Sequence, residues 1–113
     1  MKILIVDDNE KVRTLLIDHL PAEADEIYEC ADGIEAFSLF KKVKPDWVLM
    51  DHEMPRMNGI AAIREIIAEF PTANICMVTA FDDKEIRDEA IAAGAAGFVL
   101  KDSLFQLESI IVT

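Results

Sequence analysis

The sequence is poor in basic residues and has no long hydrophobic run. Its 113 residues include 11 Lys and Arg against 22 Asp and Glu, a formal charge of −11 at pH 7. A chain this acidic repels a phosphate backbone, so direct binding to nucleic acid is not expected. No apolar stretch approaches the roughly 20 residues of a membrane-spanning helix. The first apolar run, residues 3–6, is too short for a signal peptide. Neither membrane insertion nor export is therefore predicted.

Cysteine and proline are also scarce. Both cysteines, Cys30 and Cys76, lie inside apolar stretches, which indicates buried free thiols in a cytoplasmic protein rather than a disulfide framework. No combination of His and Cys has the spacing of a zinc site. With four prolines and 52% hydrophobic residues, the chain can form a packed core. Its length suits one domain, predicted over residues 1–113.

Five short apolar segments alternate with five segments of helical periodicity. The predicted strands are Lys2–Val6, Glu26–Cys30, Trp47–Met50, Asn74–Val78 and Gly97–Leu100. The predicted helices run from Asn9 to Pro21, from Asp32 to Lys44, from Ile60 to Phe70, from Asp83 to Ala93 with Gly94 as cap, and from Ser103 to about Val112. Continuous apolar strands that alternate with amphipathic helices are typical of a parallel sheet covered on both faces. The predicted fold class is α/β, with a doubly wound five-stranded parallel sheet.

Polar residues follow four of these strands directly. They are Asp7, Asp8, Asp51, Thr79 and Lys101. The carboxyl ends of parallel strands form the ligand crevice of such a sheet, so we expect these side chains to meet there. Two carboxylates about 4 Å apart repel by ~4 kcal/mol at an effective dielectric constant of about 20. An acidic cluster therefore requires compensating charge, and Lys101 supplies only part of it. Carboxylates without His or Cys favour Mg²⁺ over Zn²⁺ as the remaining cation.

The blocks that carry these residues resemble the signature of CheY-like receiver domains. They are Val6-Asp7-Asp8, the stretch Met50-Asp51-His52-Glu53-Met54-Pro55-Arg56-Met57-Asn58-Gly59, Val78-Thr79-Ala80 and Leu100-Lys101. The resemblance extends over nearly the whole chain and implies the strand order 2-1-3-4-5. It also implies a two-component response regulator that receives a phosphoryl group from a sensor histidine kinase or a phosphotransfer protein. Such a domain is a signalling switch and not a metabolic enzyme.

The resemblance implies a role for each matching residue. Asp51 is expected to accept the phosphoryl group, and Mg²⁺ is expected to be held by Asp7, Asp8, Asp51 and the Glu53 backbone carbonyl. The phosphoryl group is expected to contact the Lys101 ammonium, the Thr79 hydroxyl and the backbone amides of Ala80 and His52. A general-base role for the His52 ring is not expected, because an aspartate is already ionised at pH 7.

The resemblance also implies an output surface, formed by the fourth helix, the fifth strand and the last helix. Phe98 matches the aromatic that enters the space vacated when Thr79 moves toward phosphate. Lys84, Arg87 and Phe98 are predicted to lie on this surface, and phosphorylation-dependent homodimerisation is left open. On the first helix, a core stripe is predicted for Val12, Leu15 and Leu16, and Ile17 is predicted to contact a partner.

Departures from the family pattern leave other questions open. Asp102 follows Lys101 where many receivers have proline, so no cis-proline turn can form there. The Lys-Asp-Ser sequence is similar to receivers with a LuxR-type DNA-binding output domain, which these 113 residues do not contain. An aspartate-nucleophile phosphatase is disfavoured because the residues from Asp7 to Glu10 do not match D-x-D-x-T. A receiver-like module that only binds partners is disfavoured because every key residue is present.

Overall fold

A five-stranded parallel sheet forms the centre of the protein. The computed structural model describes residues 1–111. The strands are β1 (Lys2–Val6), β2 (Glu26–Cys30), β3 (Trp47–Asp51), β4 (Ile75–Thr79) and β5 (Gly97–Leu100). They are arranged in the order β2-β1-β3-β4-β5, with every neighbouring pair parallel. The predicted fold class and strand order are confirmed. Among residues 1–111, no helix is both long and apolar enough to cross a bilayer.

Helices cover both faces of the sheet. They are α1 (Glu10–Asp18), α2 (Gly33–Val43), α3 (Gly59–Glu69), α4 (Lys84–Ala93) and α5 (Leu107–Ile110), the last preceded by a 3₁₀ turn at Leu104–Gln106. Residues of α2, α3 and α4 share one hydrophobic core with alternate strand residues, and residues of α1 and α5 share the other. β3 and β4 are buried along their whole length. Burial on both faces explains why these strands read as continuous apolar runs.

Side-chain caps begin four of the helices close to the predicted positions. Asn9, Asp32, Asn58 and Asp83 each accept hydrogen bonds from backbone amides of the following first turn. Gly94 ends α4 in the left-handed region, with φ of 114°. The two thiols, Cys30 and Cys76, are free and buried as predicted. Burial raises the pKa of each thiol to about 12, which keeps both protonated at neutral pH.

The prediction for the last helix was too long. Its first turn is a 3₁₀ turn, and α5 ends at Ile110, with Ile111 in an extended conformation. Ser103 makes no capping hydrogen bond to this turn, and its hydroxyl instead donates to Asp102 Oδ1 at 3.3 Å. The β-branched side chain of Ile111 also favours extended backbone. Val112, the predicted end, lies outside the described residues.

The prediction of a core stripe on α1 was wrong for Leu15, whereas the partner contact predicted for Ile17, which is half-buried, stays a prediction. Leu16 is fully buried as expected, but Leu15 is 51% exposed. Ile17 instead packs against the core beside Val12 and Leu20. The core-facing stripe of α1 is the i, i+4 pair Val12 and Leu16, and Leu20 packs on the same core beyond the end of the helix. Leu15 lies about 100° away from this stripe and is the apolar residue that α1 exposes.

Candidate functional site

The five predicted strand-end residues meet in one open cleft at the carboxyl edge of the sheet. The cleft has a volume of about 320 Å³ and is lined by Asp7, Asp8, Asn9, Val12, Asp51, Glu53, Thr79, Ala80, Phe81 and Lys101. Of the other predicted site residues, Glu53 and Ala80 contribute exposed walls, while His52 and Phe98 lie outside this lining. The strand ends therefore converge as the sequence predicted.

An ammonium group bridges two buried carboxylates at the base of the cleft. Lys101 Nζ lies 2.9 Å from Asp7 Oδ2 and 3.0 Å from Asp51 Oδ1. Burial, and then the Asp7 charge, raise the pKa of Asp51, partly offset by Lys101 and by the His52 amide. Burial lowers the pKa of Lys101, but its contacts with Asp7 and Asp51 outweigh this and raise the pKa overall. The charged ammonium therefore holds the two carboxylates together.

The three carboxylates of the cleft fit a divalent cation. Oxygen atoms of Asp7, Asp8 and Asp51 lie within 4.8 Å of one another. Asp7 Oδ2 is buried, and the Lys101 ammonium at 2.9 Å is its contact among residues 1–111. One ammonium cannot balance three carboxylates. An all-oxygen set with spare acceptor capacity is the donor chemistry that Mg²⁺ prefers.

Backbone hydrogen bonds hold the acceptor loop against Asp51. The His52 amide donates to Asp51 Oδ1 at 2.9 Å, and the Gly59 amide donates to the His52 carbonyl at 2.8 Å. A Cβ atom on Gly59 would lie 1.9 Å from the Asp51 carbonyl oxygen. Only glycine therefore allows α3 to begin this close to the end of β3.

Thr79 connects the cleft to β5. Its hydroxyl oxygen accepts a hydrogen bond from the Phe81 amide at 3.2 Å. The register pairs Met77 with Phe98 and Thr79 with Leu100, so Thr79 and Phe98 face the same side of the sheet. Phe98 is half-buried, and the Arg87 guanidinium of α4 lies 5.0 Å from the centre of its ring. Arg87 and Phe98, two of the residues predicted for the output surface, thus form a cation–π contact, and their role in output stays a prediction.

Sequence reasoning missed two arginines that brace the cleft. Arg13 donates to the Asp7 backbone carbonyl at 2.7 Å and to Glu29 Oε1 at 2.9 Å, which ties the loop after β1 to β2. Arg56 has φ of 66°, in the left-handed region, and donates through Nε and Nη2 to Asp32 Oδ2, the Nε bond being 2.9 Å. Asp32 is buried and caps α2. The acceptor loop is therefore tied to the start of α2.

Protonation of Asp32 should weaken this tie. Hydrogen bonding from the Glu35 amide, and then from Arg56, holds the pKa of Asp32 below its ordinary value of roughly 4. A carboxyl with a depressed folded-state pKa stabilises the protein above its unfolded pKa, and this stability is lost as pH falls through the folded pKa. We expect Asp32→Asn, which keeps the cap, to cost roughly 1 kcal/mol at pH 7 because Arg56 is half exposed.

The measurement is urea denaturation between pH 7 and pH 2.5. Below about pH 5, stability should fall less steeply in Asp32→Asn than in wild type. Glu35→Gln is the matched control, because Glu35 is exposed and lies 3.6 Å from the same guanidinium. Parallel pH profiles for Asp32→Asn and wild type would show that the ion pair contributes nothing.

Comparison with known proteins places the chain in a family. Residues 3–111 match the family model of the response regulator receiver domain. The transcriptional regulatory protein YhcZ of Bacillus subtilis is 42% identical over 105 residues, which cover 91% of this chain and 49% of YhcZ. The chain thus spans about half the length of that relative.

Solved structures agree in fold. A LuxR-family response regulator from Aurantimonas superposes with a TM-score of 0.82 at 35% identity, covering 90% of this chain and 74% of that one. A chain of the CheX–CheY–BeF₃–Mg²⁺ complex from Borrelia burgdorferi gives 0.83 at 28% identity, covering 88% and 77%. Because the family model matches residues 3–111, nearly the whole of this chain, the chain belongs to the response regulator receiver domains of two-component systems.

Proposed function

We propose that this domain takes a phosphoryl group onto Asp51 from a phosphohistidine in a sensor kinase or a phosphotransfer protein. The observation that carries the proposal is the position of the Asp51 carboxylate, which is 6% exposed, contacts Lys101 and has oxygens of Asp7 and Asp8 within 4.8 Å. A buried carboxylate at the base of an open cleft is accessible from one side only. Attack on phosphorus from that side is the chemistry that this arrangement favours.

The side chains around Asp51 suit a dianionic phosphoryl group once its charge is balanced. The Lys101 ammonium supplies one positive charge, and the Ala80 and His52 amides and the Thr79 hydroxyl supply hydrogen-bond donors. Asp7, Asp8, Asp51 and the Glu53 carbonyl would hold Mg²⁺, which screens the incoming charge from the acidic cleft. In support, the related CheY complex from Borrelia contains both BeF₃ and Mg²⁺.

The same contacts suggest how occupancy of Asp51 changes a distant surface. The Thr79 oxygen accepts from the Phe81 amide, which leaves its hydroxyl proton available to donate to a phosphoryl oxygen once the side chain moves toward Asp51. Phe98, on the same side of the sheet, then moves toward Thr79 and leaves Arg87. Only Ala90 and Ala93 of α4 are buried, so this helix can shift at little cost. We assign Lys84, Arg87 and Phe98 of the α4-β5-α5 surface to output.

The proposed partners follow from this role. The kinase or phosphotransfer protein acts at the cleft, and the output surface contacts either an output domain or a second copy of the chain. YhcZ is a transcriptional regulatory protein about twice as long as this chain, which supports transcriptional control as the output. We propose a cytoplasmic signalling switch that catalyses only its own phosphorylation and dephosphorylation.

Intact-protein mass spectrometry after incubation with acetyl phosphate tests the proposal. Wild type should gain one phosphoryl group with Mg²⁺ present and none when the cation is removed by chelation. Asp51→Asn should gain none, whereas Asp46→Asn, an exposed aspartate at the opposite end of β3, should behave as wild type. Failure of folded wild type to gain a phosphoryl group or to bind beryllofluoride would favour a module that only binds partners.

A further inference from the structure

A strained turn lies in the acceptor loop, residues 52–58, between β3 and α3. The Met57 amide donates to the Pro55 carbonyl at 2.7 Å, which closes a three-residue turn around Arg56. At the centre of this turn, Arg56 has φ of 66°. A three-residue turn with a positive φ at its central residue is rare and strained. A residue other than glycine keeps such a conformation only where its surroundings impose it.

The start of α2 supplies contacts that hold the turn. Both carboxylate oxygens of Asp32 are used, because Oδ1 accepts from the Glu35 amide at 2.9 Å and Oδ2 accepts from Arg56 Nε at 2.9 Å. Asp32 is 6% exposed, so its charge requires both the helix amide and the guanidinium. A buried carboxylate that caps a helix has a fixed position, and it fixes the guanidinium that binds to it.

Gly33 allows the loop and the helix to touch. A Cβ atom at this position would lie 2.8 Å from the Met57 carbonyl oxygen and 3.0 Å from Met57 Cγ. The missing side chain therefore lets the acceptor loop pack directly on the first turn of α2. Met54, before the turn, packs against the hydrophobic core. The turn is thus held both by α2 and by the core.

The strained turn follows closely after the residue whose carbonyl we assign to Mg²⁺. Glu53 lines the cleft, and unlike the three carboxylates there it would offer a backbone oxygen. The position of a backbone oxygen depends on the conformation of the loop, since no side chain can rotate to adjust it. Only two residues separate Glu53 from Arg56, and one of them is a proline with a fixed φ. Groups that orient a metal ligand change metal affinity without touching the metal.

We propose that the ion pair between Asp32 and Arg56 holds this turn and thereby sets the affinity of the cleft for Mg²⁺, an inference that rests on the proposed function. Asp32 and Arg56 are positioning residues, because neither belongs to the lining of the cleft and both act through the backbone of Glu53. Loss of either partner releases the turn, so binding of the cation has to restore it. The two losses change the charge in opposite directions but affect the turn in the same direction.

The test measures Mg²⁺ affinity by NMR, from amide shifts during titration with MgCl₂ at constant ionic strength. Asp32→Asn and Arg56→Ala should each weaken Mg²⁺ binding roughly 3- to 10-fold. Charge alone would instead make Arg56→Ala bind the cation more tightly. The double variant should lose little more than either single variant, because both remove the same ion pair. Glu69→Gln is the matched control, since it also converts an acid to its amide and removes an ion pair between α2 and α3, to Lys41 at 3.8 Å.

Two further measurements separate positioning from general damage to the site. With acetyl phosphate as donor, the half-saturating Mg²⁺ concentration should rise as the affinity falls, while the rate at saturating Mg²⁺ should change less than about 2-fold. Arg56→Gly also removes the ion pair, but glycine adopts a positive φ without strain. Arg56→Gly should therefore bind Mg²⁺ more tightly than Arg56→Ala.

Wild-type or tighter Mg²⁺ binding in Arg56→Ala would overturn the proposal, as would wild-type affinity in Asp32→Asn or equal affinities of the alanine and glycine variants. Each of these results would leave phosphorylation of Asp51 intact. If folded wild type neither binds Mg²⁺ nor gains a phosphoryl group, the proposed function itself fails. Circular dichroism and a thermal melt establish that each variant is folded before affinities are compared.

Discussion

Replacing Lys101 with Met is expected to lower the free energy of unfolding by about 3 kcal/mol in the absence of divalent cations. The ammonium contacts Asp7 and Asp51 at 2.9 and 3.0 Å, and these carboxylates are 1% and 6% exposed. Without Lys101, two buried like charges face each other uncompensated. Removal of one partner from a buried ion pair costs roughly 3–5 kcal/mol, and the partial exposure of Lys101 places the effect at the lower end. Urea denaturation in chelator measures it.

Two further variants separate this charge effect from the loss of a side chain. In the double variant Lys101→Met/Asp51→Asn, one of the opposing charges is gone, so more than half of the lost stability should return. Lys84→Met is the matched surface control, because Lys84 pairs with Asp88 at 2.7 Å but is 87% exposed, so its removal should leave the stability nearly unchanged. A loss in Lys101→Met no larger than in Lys84→Met would mean that the ammonium does not hold the cleft together.

Gly59→Ala is expected to cost about 3 kcal/mol or more and to slow phosphorylation of Asp51. The added Cβ would lie 1.9 Å from the Asp51 carbonyl oxygen and 2.9 Å from its carbonyl carbon. These are backbone atoms, so relief requires β3 and α3 to separate at the acceptor itself. Alanine is a better helix former than glycine by roughly 1 kcal/mol. Helix propensity alone therefore predicts that Gly59→Ala raises the free energy of unfolding. Urea denaturation measures the first effect, and the acetyl phosphate time course measures the second.

Gly97→Ala provides the comparison for this steric argument. There the added Cβ would meet Ile110 Cγ2 at 3.1 Å and Cys76 Sγ at 3.4 Å, both side-chain atoms. We expect a change within about 1 kcal/mol, because α5 can adjust. If the two alanine variants are equally stable, the close approach of α3 to β3 is not what requires glycine at position 59.

The candidate site was largely predictable because its residues occupy strand ends. In a parallel sheet each strand delivers the residue after its last apolar position to the same edge. That rule grouped Asp7, Asp51, Thr79 and Lys101 correctly from four separate segments, and the structure brings them into one cleft. The strand bounds were also predictable, since buried strands are short apolar runs that end at polar residues.

Other features depended on contacts between segments that are distant along the chain. Arg13 reaches Glu29, and Arg56 reaches Asp32, across 16 and 24 positions of sequence. A single arginine in a loop or on a helix belongs to no repeating sequence pattern, so the sequence does not predict its partner. The exposure of Leu15 and the packing of Ile17 likewise depended on how α1 is rotated against the sheet.

The sequence by itself determined the fold class, the strand ends and the identity of the acidic site. Each of these follows from local periodicity and from the end of an apolar run, which a single segment carries. Only the tertiary structure decided which side chains pair and how the mouth of the cleft is built. Phe81 shows the difference: in sequence it is one of six phenylalanines, and only the packed chain leaves it exposed above Asp51. Burial and charge pairing depend on neighbours that folding brings together, so no single segment contains them.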